Sequence, residues 1–320
     1  MKAIRVHRQG APDVLTYEEV PRPVPGRGEV LVRVHAAGIN PPDWYARRGL
    51  ANIPAELRPE ITFPFTPGSD ISGVVAETGA GVTEFAVGDE VFGLLFRLTP
   101  GVMNGGKAYA EYATAPVTAL ARKPVSVDHV QAAAVPMAGL TAYQYLWEIL
   151  KPDPGATVLV NGAAGGVGHF AAQLAKVRGA RVIGVASTRH EAFLAELGVD
   201  RFVDYTATAV TEAVRDVDVV IDTVGGPHGH RFLDVLAPGG VLSPVFFGDY
   251  HRDRAAELGI AVVGGQVRSD GAGLAELARL IDAGRVRIGI DSVFDLADAA
   301  AAHERAERGH IQGKIVLRVR

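Results

Sequence analysis

The sequence predicts an α/β protein of two domains, and three observations carry that prediction. Residues 1 to about 123 contain alternating apolar and polar runs punctuated by glycine and proline, which is typical of half-buried strands. From about Val130, near-continuous apolar runs alternate with segments of helical spacing, as in a parallel sheet covered by helices on both faces. A glycine-rich turn at residues 162–168 joins one apolar run to a helix. The 320 residues suffice for two domains of ordinary size.

The first part of the chain is mostly β. Residues 29–38 (EVLVRVHAAG) alternate the apolar Val30, Val32 and Val34 with other side chains, and residues 70–79 and 87–93 are similar. Near the other end, residues 313–319 (GKIVLRV) form one more alternating strand. We expect this last strand to return to the first domain and close it.

The second part predicts a doubly wound parallel sheet. Its apolar runs are the predicted strands 156–160, 181–186, 201–205, 218–224 and 240–246. Between the first two, the apolar residues recur at helical spacing: Val167, Phe170, Ala171, Leu174 and Val177. Strand, helix and strand in this order form a βαβ unit.

Composition and charge exclude several classes of function. The formal net charge is −4, and nucleic-acid or membrane-surface partners require a basic face. No apolar run approaches the ~18 residues of a membrane span, and the N-terminal stretch lacks the apolar core of a signal peptide. We therefore expect a cytoplasmic protein that binds a small molecule.

The chain has no cysteine, which excludes disulfides, a thiol nucleophile and a thiolate zinc site. A metal held by histidines and carboxylates stays open. The closest histidine pair, His228 and His230, lies in a glycine-rich stretch, and a solvated loop is the simpler interpretation. No metal site is predicted.

The glycine-rich turn indicates a dinucleotide cofactor. Gly162, Gly165 and Gly168 stand at the three positions of G-x-x-G-x-x-G, between a strand and a helix. The first glycine permits the tight turn, the second lets a pyrophosphate approach the backbone, and the third lets the helix pack on the strand. Free N–H groups at the helix start favour the phosphates. The alternative is close packing of helix on sheet without a ligand.

The end of the second predicted strand favours NADPH over NADH. An acid there would bind the ribose 2′-hydroxyl of NAD, whereas this strand ends in Ser187, Thr188 and Arg189. Hydroxyls and a guanidinium suit a 2′-phosphate. The alternative for Arg189 is a solvated turn residue.

With these residues in view, the chain resembles the medium-chain dehydrogenase/reductase superfamily, in particular its zinc-free, zeta-crystallin-like quinone oxidoreductases. The resemblance covers nearly the whole chain and lies in ordered blocks: AAGINPPDWYARRG, PGSDISGVVAETGAGVTEFAVGDEVFG, AAAVPMAGLTAYQYL, VLVNGAAGGVGHFAAQLAK and GKIVL. It implies a GroES-like catalytic domain from residues 1–123 and 268–320. It also implies a Rossmann NADP-binding domain from residues 124–267.

The resemblance implies hydride transfer without a metal. Zinc alcohol dehydrogenases carry a cysteine where Asn40 stands and a histidine where Ser69 stands, and the cysteine-rich lobe of a structural zinc is absent. In quinone reductases Asn40 and Tyr45 match residues beside the nicotinamide. An amide and a phenol can donate hydrogen bonds to an oxygen that gains negative charge. The alternatives are a turn-former for Asn40 and a core or interface aromatic for Tyr45.

The resemblance also places further cofactor contacts and an assembly. The residues are Thr141, Gly166, Val167, Tyr205, Val224, Gly225, Phe247, Gly248 and Lys314. Relatives commonly pair Rossmann sheets edge to edge, so residues 240–248 near that edge predict a homodimer.

The predicted function is NADPH-dependent reduction of a quinone or an α,β-unsaturated carbonyl. One alternative is an enoyl-thioester or polyketide-pathway reductase, for which Arg47, Arg48 and Arg58 are candidate entry residues. Another is a non-catalytic NADPH-binding protein. Residues 49–63 form a longer connector than in many quinone reductases and border the expected substrate cleft, so the natural substrate stays open.

Overall fold

The computed structural model describes residues 1–51, 53, 58–95, 97–99, 102–104 and 106–320. In chain order the strands are β1 Lys2–Val6, β2 Leu15–Glu19, β3 Glu29–Gly38, β4 Asp70–Thr78, β5 Glu90–Leu94, β6 Arg97–Thr99, β7 Val102–Asn104, β8 Tyr112–Pro116, β9 Leu120–Arg122, β10 Thr157–Asn161, β11 Arg181–Ala186, β12 Arg201–Asp204, β13 Val217–Asp222, β14 Leu236–Pro244, β15 Ala261–Val262, β16 Ile290–Asp295 and β17 Lys314–Arg318.

The α-helices lie between these strands. They are α1 Pro41–Arg48, α2 His129–Ala133, α3 Pro136–Gln144, α4 Gly166–Val177, α5 Glu191–Glu196, α6 Val210–Ala213, α7 Arg252–Glu257, α8 Gly271–Asp282 and α9 Ala299–Glu307. Shorter 3₁₀ turns include Thr188–His190 and Gly229–Asp234, and α3 continues into a π-helical turn, Tyr145–Ile149.

The second half of the chain forms a six-stranded parallel sheet in the order β12-β11-β10-β13-β14-β15. This is the strand order of a doubly wound dinucleotide-binding sheet, which confirms the predicted fold class. The predicted strands match β10 to β14, although β14 begins at Leu236, earlier than the sequence pattern suggests. The edge strand β15 was not predicted, because two residues are too short to show a periodic pattern.

Strands from both ends of the chain form a seven-stranded sheet in the order β16-β17-β3-β4-β5-β9, with β8 also paired to β3. The C-terminal strand β17 runs antiparallel to β3, with Val316 opposite Gly38. Residues 313–319 therefore return to the first sheet, as predicted. The domain boundaries themselves remain a prediction.

The prediction that β3 is half buried holds in its middle, where Arg33 is exposed between two buried valines, but fails at Leu31, Ala36 and Ala37. Leu31, Ala36 and Ala37 are as fully buried as the valines with which they alternate. The cause is that parts of both faces of β3 are covered, although Arg33 stays exposed. Ala36 packs against Ala133 of α2, whereas Ala37 belongs to a second cluster that includes residues of α9.

The two sheets share a core at their junction. Phe92 and Leu94 of β5 belong to the same buried cluster as Phe170 and Leu174 of α4. Helix α3 packs between them and against α8. This shared core places the carboxyl ends of the parallel strands opposite α1 and β17.

Candidate functional site

A cleft of about 560 Å³ lies between the two sheets. One wall is formed by the carboxyl ends of the parallel strands, where Gly162, Ser187, Tyr205 and Val224 line it. The opposite wall is formed by Asn40, Pro41 and Trp44 at the start of α1, with Lys314 and Ile315 from β17. Ligands of doubly wound sheets bind at the carboxyl ends of the strands, so the cleft stands at the expected edge.

The glycines of the turn divide between ligand space and packing. Gly162 has φ 73°, a left-handed conformation that glycine adopts without strain, and Gly162, Gly165, Gly166 and Val167 all line the cleft. Gly168 lies beneath, where a Cβ atom would come within 2.1 Å of the Gly162 carbonyl oxygen. Only glycine lets α4 start this close to the strand. The close packing at Gly168 and the left-handed turn at Gly162 are as predicted, whereas the pyrophosphate contact of Gly165 remains a prediction.

A buried carboxylate that the sequence analysis missed supports this turn. Asp222, at the end of β13, accepts hydrogen bonds from Asn161 Nδ2 at 2.7 Å and from the hydroxyl of Tyr250 at 3.0 Å. The backbone N–H groups of Val224 and Gly225 also donate to it. An acid at the end of an apolar strand was the available signal, but its partners lie 28 and 61 positions away along the chain.

Asn40 is buried and its side chain is held on both sides. Its Nδ2 donates to Asp70 Oδ2 at 2.9 Å, and its Oδ1 accepts a hydrogen bond from Lys314 Nζ. An ammonium only donates and a carboxylate only accepts, so the amide has one permitted orientation. Asp70 itself is fixed by the backbone N–H of Met137 at 2.9 Å. The predicted site residues Asn40 and Lys314 therefore form one unit with Asp70.

Burial changes the acid–base properties of this unit. It raises the pKa of Asp70 to about 6, although the neighbouring Lys314 ammonium and the Asn40 amide favour the ionised form. Burial also lowers the pKa of Lys314, against the attraction of Asp70 and Asp43. Lys314 Nζ bonds the carbonyl of Ile39 at 2.7 Å and lies 3.8 Å from Asp70 Oδ2. A lysine and a carboxylate thus meet inside the protein, next to the cleft.

A second buried acid, Asp43, lies behind Asn40. Its carboxylate accepts hydrogen bonds from the backbone N–H of Asn40 at 2.9 Å and from the hydroxyl of Tyr109 at 3.0 Å. Tyr109 in turn lies 3.4 Å from a ring nitrogen of the buried His303. Burial raises the pKa of Asp43 to about 7 and lowers that of His303 to about 3. Asp43 therefore holds the start of α1.

Tyr45 lies on α1 beside the cleft and not among the residues that line it. Its ring packs against Phe246 at 5.6 Å and against Trp44 at 5.7 Å, and the Arg48 guanidinium lies 5.3 Å from its centroid. Trp44 is the aromatic of this helix that reaches the cleft wall. The predicted catalytic role of Tyr45 remains a prediction.

At the other end of the cleft, the predicted phosphate residues differ in their placement. Ser187 and Tyr205 line the cleft, and Tyr205 is 48% exposed. The hydroxyl of Thr188 instead donates to Asp204. Arg189 turns toward the C-terminal part of the chain, where its guanidinium donates to the carbonyl of His310 and, through Nε, to the ring of His190 at 3.0 Å.

The remaining predicted cofactor residues surround the cleft or stand behind it. Thr141 is buried one helical turn beyond the cleft-lining Ala138, and its hydroxyl donates to the Met137 carbonyl at 2.7 Å. Gly225 packs against the backbone of Phe247, and Gly248 pairs with Gly226. Of this group, Val224 lines the cleft directly.

The predicted histidine pair stays together in the structure, with the rings of His228 and His230 6.3 Å apart in an edge-to-face arrangement. His230 stacks on His251 with centroids 4.1 Å apart and planes 8° apart, and Asp249 lies 3.1 Å from His251. Ligand atoms of these three residues lie within 4.8 Å of one another. However, parallel rings direct their in-plane lone pairs side by side instead of toward one point, so we assign no metal there.

The arginines considered for a thioester arm are largely occupied within the protein. Arg47 is fully buried and donates to the Gly10 carbonyl and to Glu307, and Arg58 donates to the carbonyl of Ile53 at 2.8 Å. Within the predicted connector at 49–63, residues 52 and 54–57 lie outside the described part of the chain. Among the described helices, none combines the length and apolarity needed to cross a membrane.

Comparison with known proteins agrees with this architecture. Residues 26–125 match the family model described as "Alcohol dehydrogenase GroES-like domain", and residues 197–317 match "Zinc-binding dehydrogenase". The chloroplast envelope quinone oxidoreductase homolog of Arabidopsis thaliana is 32% identical, and the match covers 95% of this chain and 93% of that protein.

Solved structures agree over the whole chain. The quinone oxidoreductase from Coxiella burnetii superposes with a TM-score of 0.88 at 35% identity, covering 100% of this chain and 99% of that one. The Escherichia coli quinone oxidoreductase, solved with NADPH, has a TM-score of 0.86 at 27% identity and full coverage of both chains (100% each).

A GroES-like sheet joined to a dinucleotide-binding sheet, with a cleft between them, defines an enzyme of the oxidoreductase class. The chain belongs to the medium-chain dehydrogenase/reductase superfamily. Within that superfamily it belongs to the quinone oxidoreductase branch, as its sequence motifs predicted.

Proposed function

We propose that this enzyme is a zinc-independent, NADPH-dependent reductase that transfers hydride to a quinone or an α,β-unsaturated carbonyl compound. The observation that carries the proposal is the fixed amide of Asn40 on the wall of the cleft, opposite the glycine-rich turn. Bound NADPH would supply the hydride from its nicotinamide C4. The turn at Gly162, Gly165 and Gly166 would hold its pyrophosphate, and Ser187 and Tyr205 would meet its adenosine end.

The amide of Asn40 has a chemical task in this proposal. One N–H of Nδ2 is taken by Asp70, and the other is left for a ligand in the cleft. Hydride addition to a quinone or enone places negative charge on a carbonyl oxygen, and a preorganised donor stabilises that charge. Because Lys314 and Asp70 already fix the amide, no reorientation is needed during the reaction. Water or the hydroxyl of Tyr45 would then supply the proton.

The donor set supports a reaction without zinc. At the two positions where zinc alcohol dehydrogenases carry a cysteine and a histidine, this chain has Asn40 and Ser69. The oxygens of Asp70 already accept from the Met137 backbone and from Asn40, and the Lys314 ammonium is the adjacent cation. Zinc prefers thiolate, imidazole and free carboxylate ligands, so these residues do not fit it.

The test is a substrate panel with both cofactors. We expect NADPH oxidation with simple quinones and enones, and little turnover with enoyl thioesters or saturated aldehydes. Activity should survive dialysis against a strong chelator, and added zinc should not increase it. Absence of turnover with every acceptor would favour the non-catalytic alternative, whereas zinc-restored activity would refute metal independence.

We also propose that the enzyme is a homodimer located in the cytoplasm. In the described sheet β14 is covered by β15, so the edge strand on the side of residues 240–248 is Ala261–Val262, and β12 forms the opposite edge. Unpaired N–H and C=O groups of an edge strand favour addition of a second sheet. Light scattering at micromolar concentration should give twice the 33.7 kDa chain mass, and a monomer would contradict the proposal.

A further inference from the structure

Arg231 stands on the wall of the same cleft that Ser187 and Tyr205 line. It lies in the 3₁₀ helix Gly229–Asp234, directly after the loop that follows β13. The next residues along this helix, Phe232 and Leu233, belong to the buried cluster that also contains Val203 and Val210. Those two residues flank Tyr205 in the sequence. The helix is therefore anchored beside the segment that carries Tyr205.

The guanidinium of Arg231 lacks a polar partner. Its Nε is buried without a hydrogen bond, and within the described part of the chain no hydrogen bond or ion pair involves its side chain. The guanidinium carbon lies 4.9 Å from the centre of the Phe232 ring. Native proteins rarely leave a buried donor unpaired, so an unpaired guanidinium on a cleft wall indicates a missing anionic ligand.

Arg189, the arginine singled out from the sequence, is in a different situation. Its guanidinium donates to the carbonyl of His310 and its Nε to the ring of His190. It is not among the residues that line the cleft. The sequence shows only that Arg189 follows the end of a strand. In the structure some of its donors already form hydrogen bonds within the protein.

We propose that Arg231 binds the 2′-phosphate of NADPH, together with Ser187 and Tyr205, and that it sets the preference for NADPH over NADH. This inference rests on the proposed function, which requires a nicotinamide cofactor in the cleft. A guanidinium presents a planar fork of N–H donors that matches two phosphate oxygens. The two terminal nitrogens of Arg231, unlike its Nε, are not closed off from solvent, so they are the donors that a phosphate in the cleft can reach.

The experiment uses fragments of the cofactor and measures binding by calorimetry. Adenosine 2′,5′-bisphosphate carries the 2′-phosphate, whereas 5′-AMP lacks it. Arg231→Met replaces the guanidinium by an unbranched apolar side chain. In this variant we expect affinity for the bisphosphate to fall by about tenfold or more, with affinity for 5′-AMP nearly unchanged. Arg189→Met is the matched control and should leave the ratio of the two affinities close to that of the wild type.

Three outcomes would overturn the assignment. An equal loss for both probes in Arg231→Met would place Arg231 against the adenine or the 5′-phosphate. A selective loss in Arg189→Met alone would assign the phosphate to Arg189. A wild type that binds the two probes equally well would show that no 2′-phosphate site exists.

Two further measurements separate this inference from folding defects and from the proposed function. Arg231→Lys keeps one charge without the fork, so it should fold and show an intermediate loss for the bisphosphate. Quinone turnover by the wild type tests the proposed function independently. If the wild type shows no turnover, the proposed function fails. If the wild type turns over quinone but Arg231→Met does not selectively weaken binding of the bisphosphate, only the assignment of Arg231 fails.

Discussion

The two ends of the cleft differ in how their polar side chains are partnered. At the Asn40 end, polar groups are buried and paired with one another: Asn40 with Asp70 and Lys314, and Asp43 with Tyr109. At the Tyr205 end, side chains are exposed or lack a partner, most clearly Arg231. The comparison teaches that a group which must be oriented before reaction is held by the protein. A group which binds a ligand's charge is instead left open for that ligand.

The strongest test of the paired end is Lys314→Met. Removing the ammonium leaves the buried Asp70 carboxylate without its cation, and breaking a buried ion pair costs about 3–5 kcal/mol. We expect that loss in the free energy of unfolding measured with urea at pH 8. At pH 5 the loss should be smaller, because the pKa of Asp70 is raised to about 6 and the acid becomes neutral.

The control for that prediction removes both charges. In Lys314→Met with Asp70→Asn, the carboxylate that lay 3.8 Å from the ammonium is gone as well, so much of the lost stability should return. An equally large loss in the double variant would show that Lys314 acts through packing and not through charge.

The next largest effect concerns Asn40. Asn40→Ala removes the proposed donor to the developing oxyanion and should lower kcat by about 10²–10³-fold, the usual effect of losing one such donor. The dissociation constant for NADPH should change little. The matched control is Ser72→Ala, which also removes buried side-chain hydrogen bonds, with His129 Nδ1 at 2.8 Å and to the Val91 carbonyl at 3.3 Å, but outside the residues that line the cleft. A similar kcat in both variants would remove Asn40 from the mechanism.

Two glycines of the turn allow a sharper comparison. In Gly168→Ala the new Cβ would lie 2.1 Å from the Gly162 oxygen, so we expect a loss of about 1–3 kcal/mol in unfolding free energy. In Gly165→Ala the nearest atom would be 3.3 Å away, and that residue lines the cleft. This variant should keep its stability and bind NADPH more weakly. If both variants lose stability equally, the division between packing and ligand space is incorrect.

The smallest effect is the pH dependence that Asp43 contributes. Burial raises its pKa from 3.8 to about 7, so the folded protein binds more protons than the unfolded chain between these values. This contribution to stability is fully present below pH 3.8 and is lost as the pH rises through 7. From pH 6 to pH 8 the wild type should lose roughly 1.4 kcal/mol relative to Asp43→Asn. Parallel stability curves for the two proteins would contradict the raised pKa.

The sequence predicted the features that depend on neighbouring residues. Apolar periodicity located β10 to β14 and α4, and the glycine spacing located the turn. Each of these patterns lies within a stretch of about 20 residues. Asn40 was identified by its resemblance to a family position.

The features that depend on distant residues were not predicted. The fixing of Asn40 needs Asp70, 30 positions away, and Lys314, 274 positions away. The missing partner of the Arg231 guanidinium can be recognised only when the positions of all the residues around it are known. The burial of Ala36 and Ala37 in β3 was missed for the same reason, since α2 and α9 lie far from them in sequence.

The pairing of β17 with β3 also has a consequence for protein synthesis. Asn40 leaves the ribosome long before Lys314, and 274 positions separate them. At about 5–20 residues per second, roughly 14–55 s pass between the two. During that interval Asp70 has no cation to meet and β3 has an open edge. The nascent chain therefore carries an unfinished sheet that only its last strand completes, and this is the period in which we expect it to depend most on chaperones.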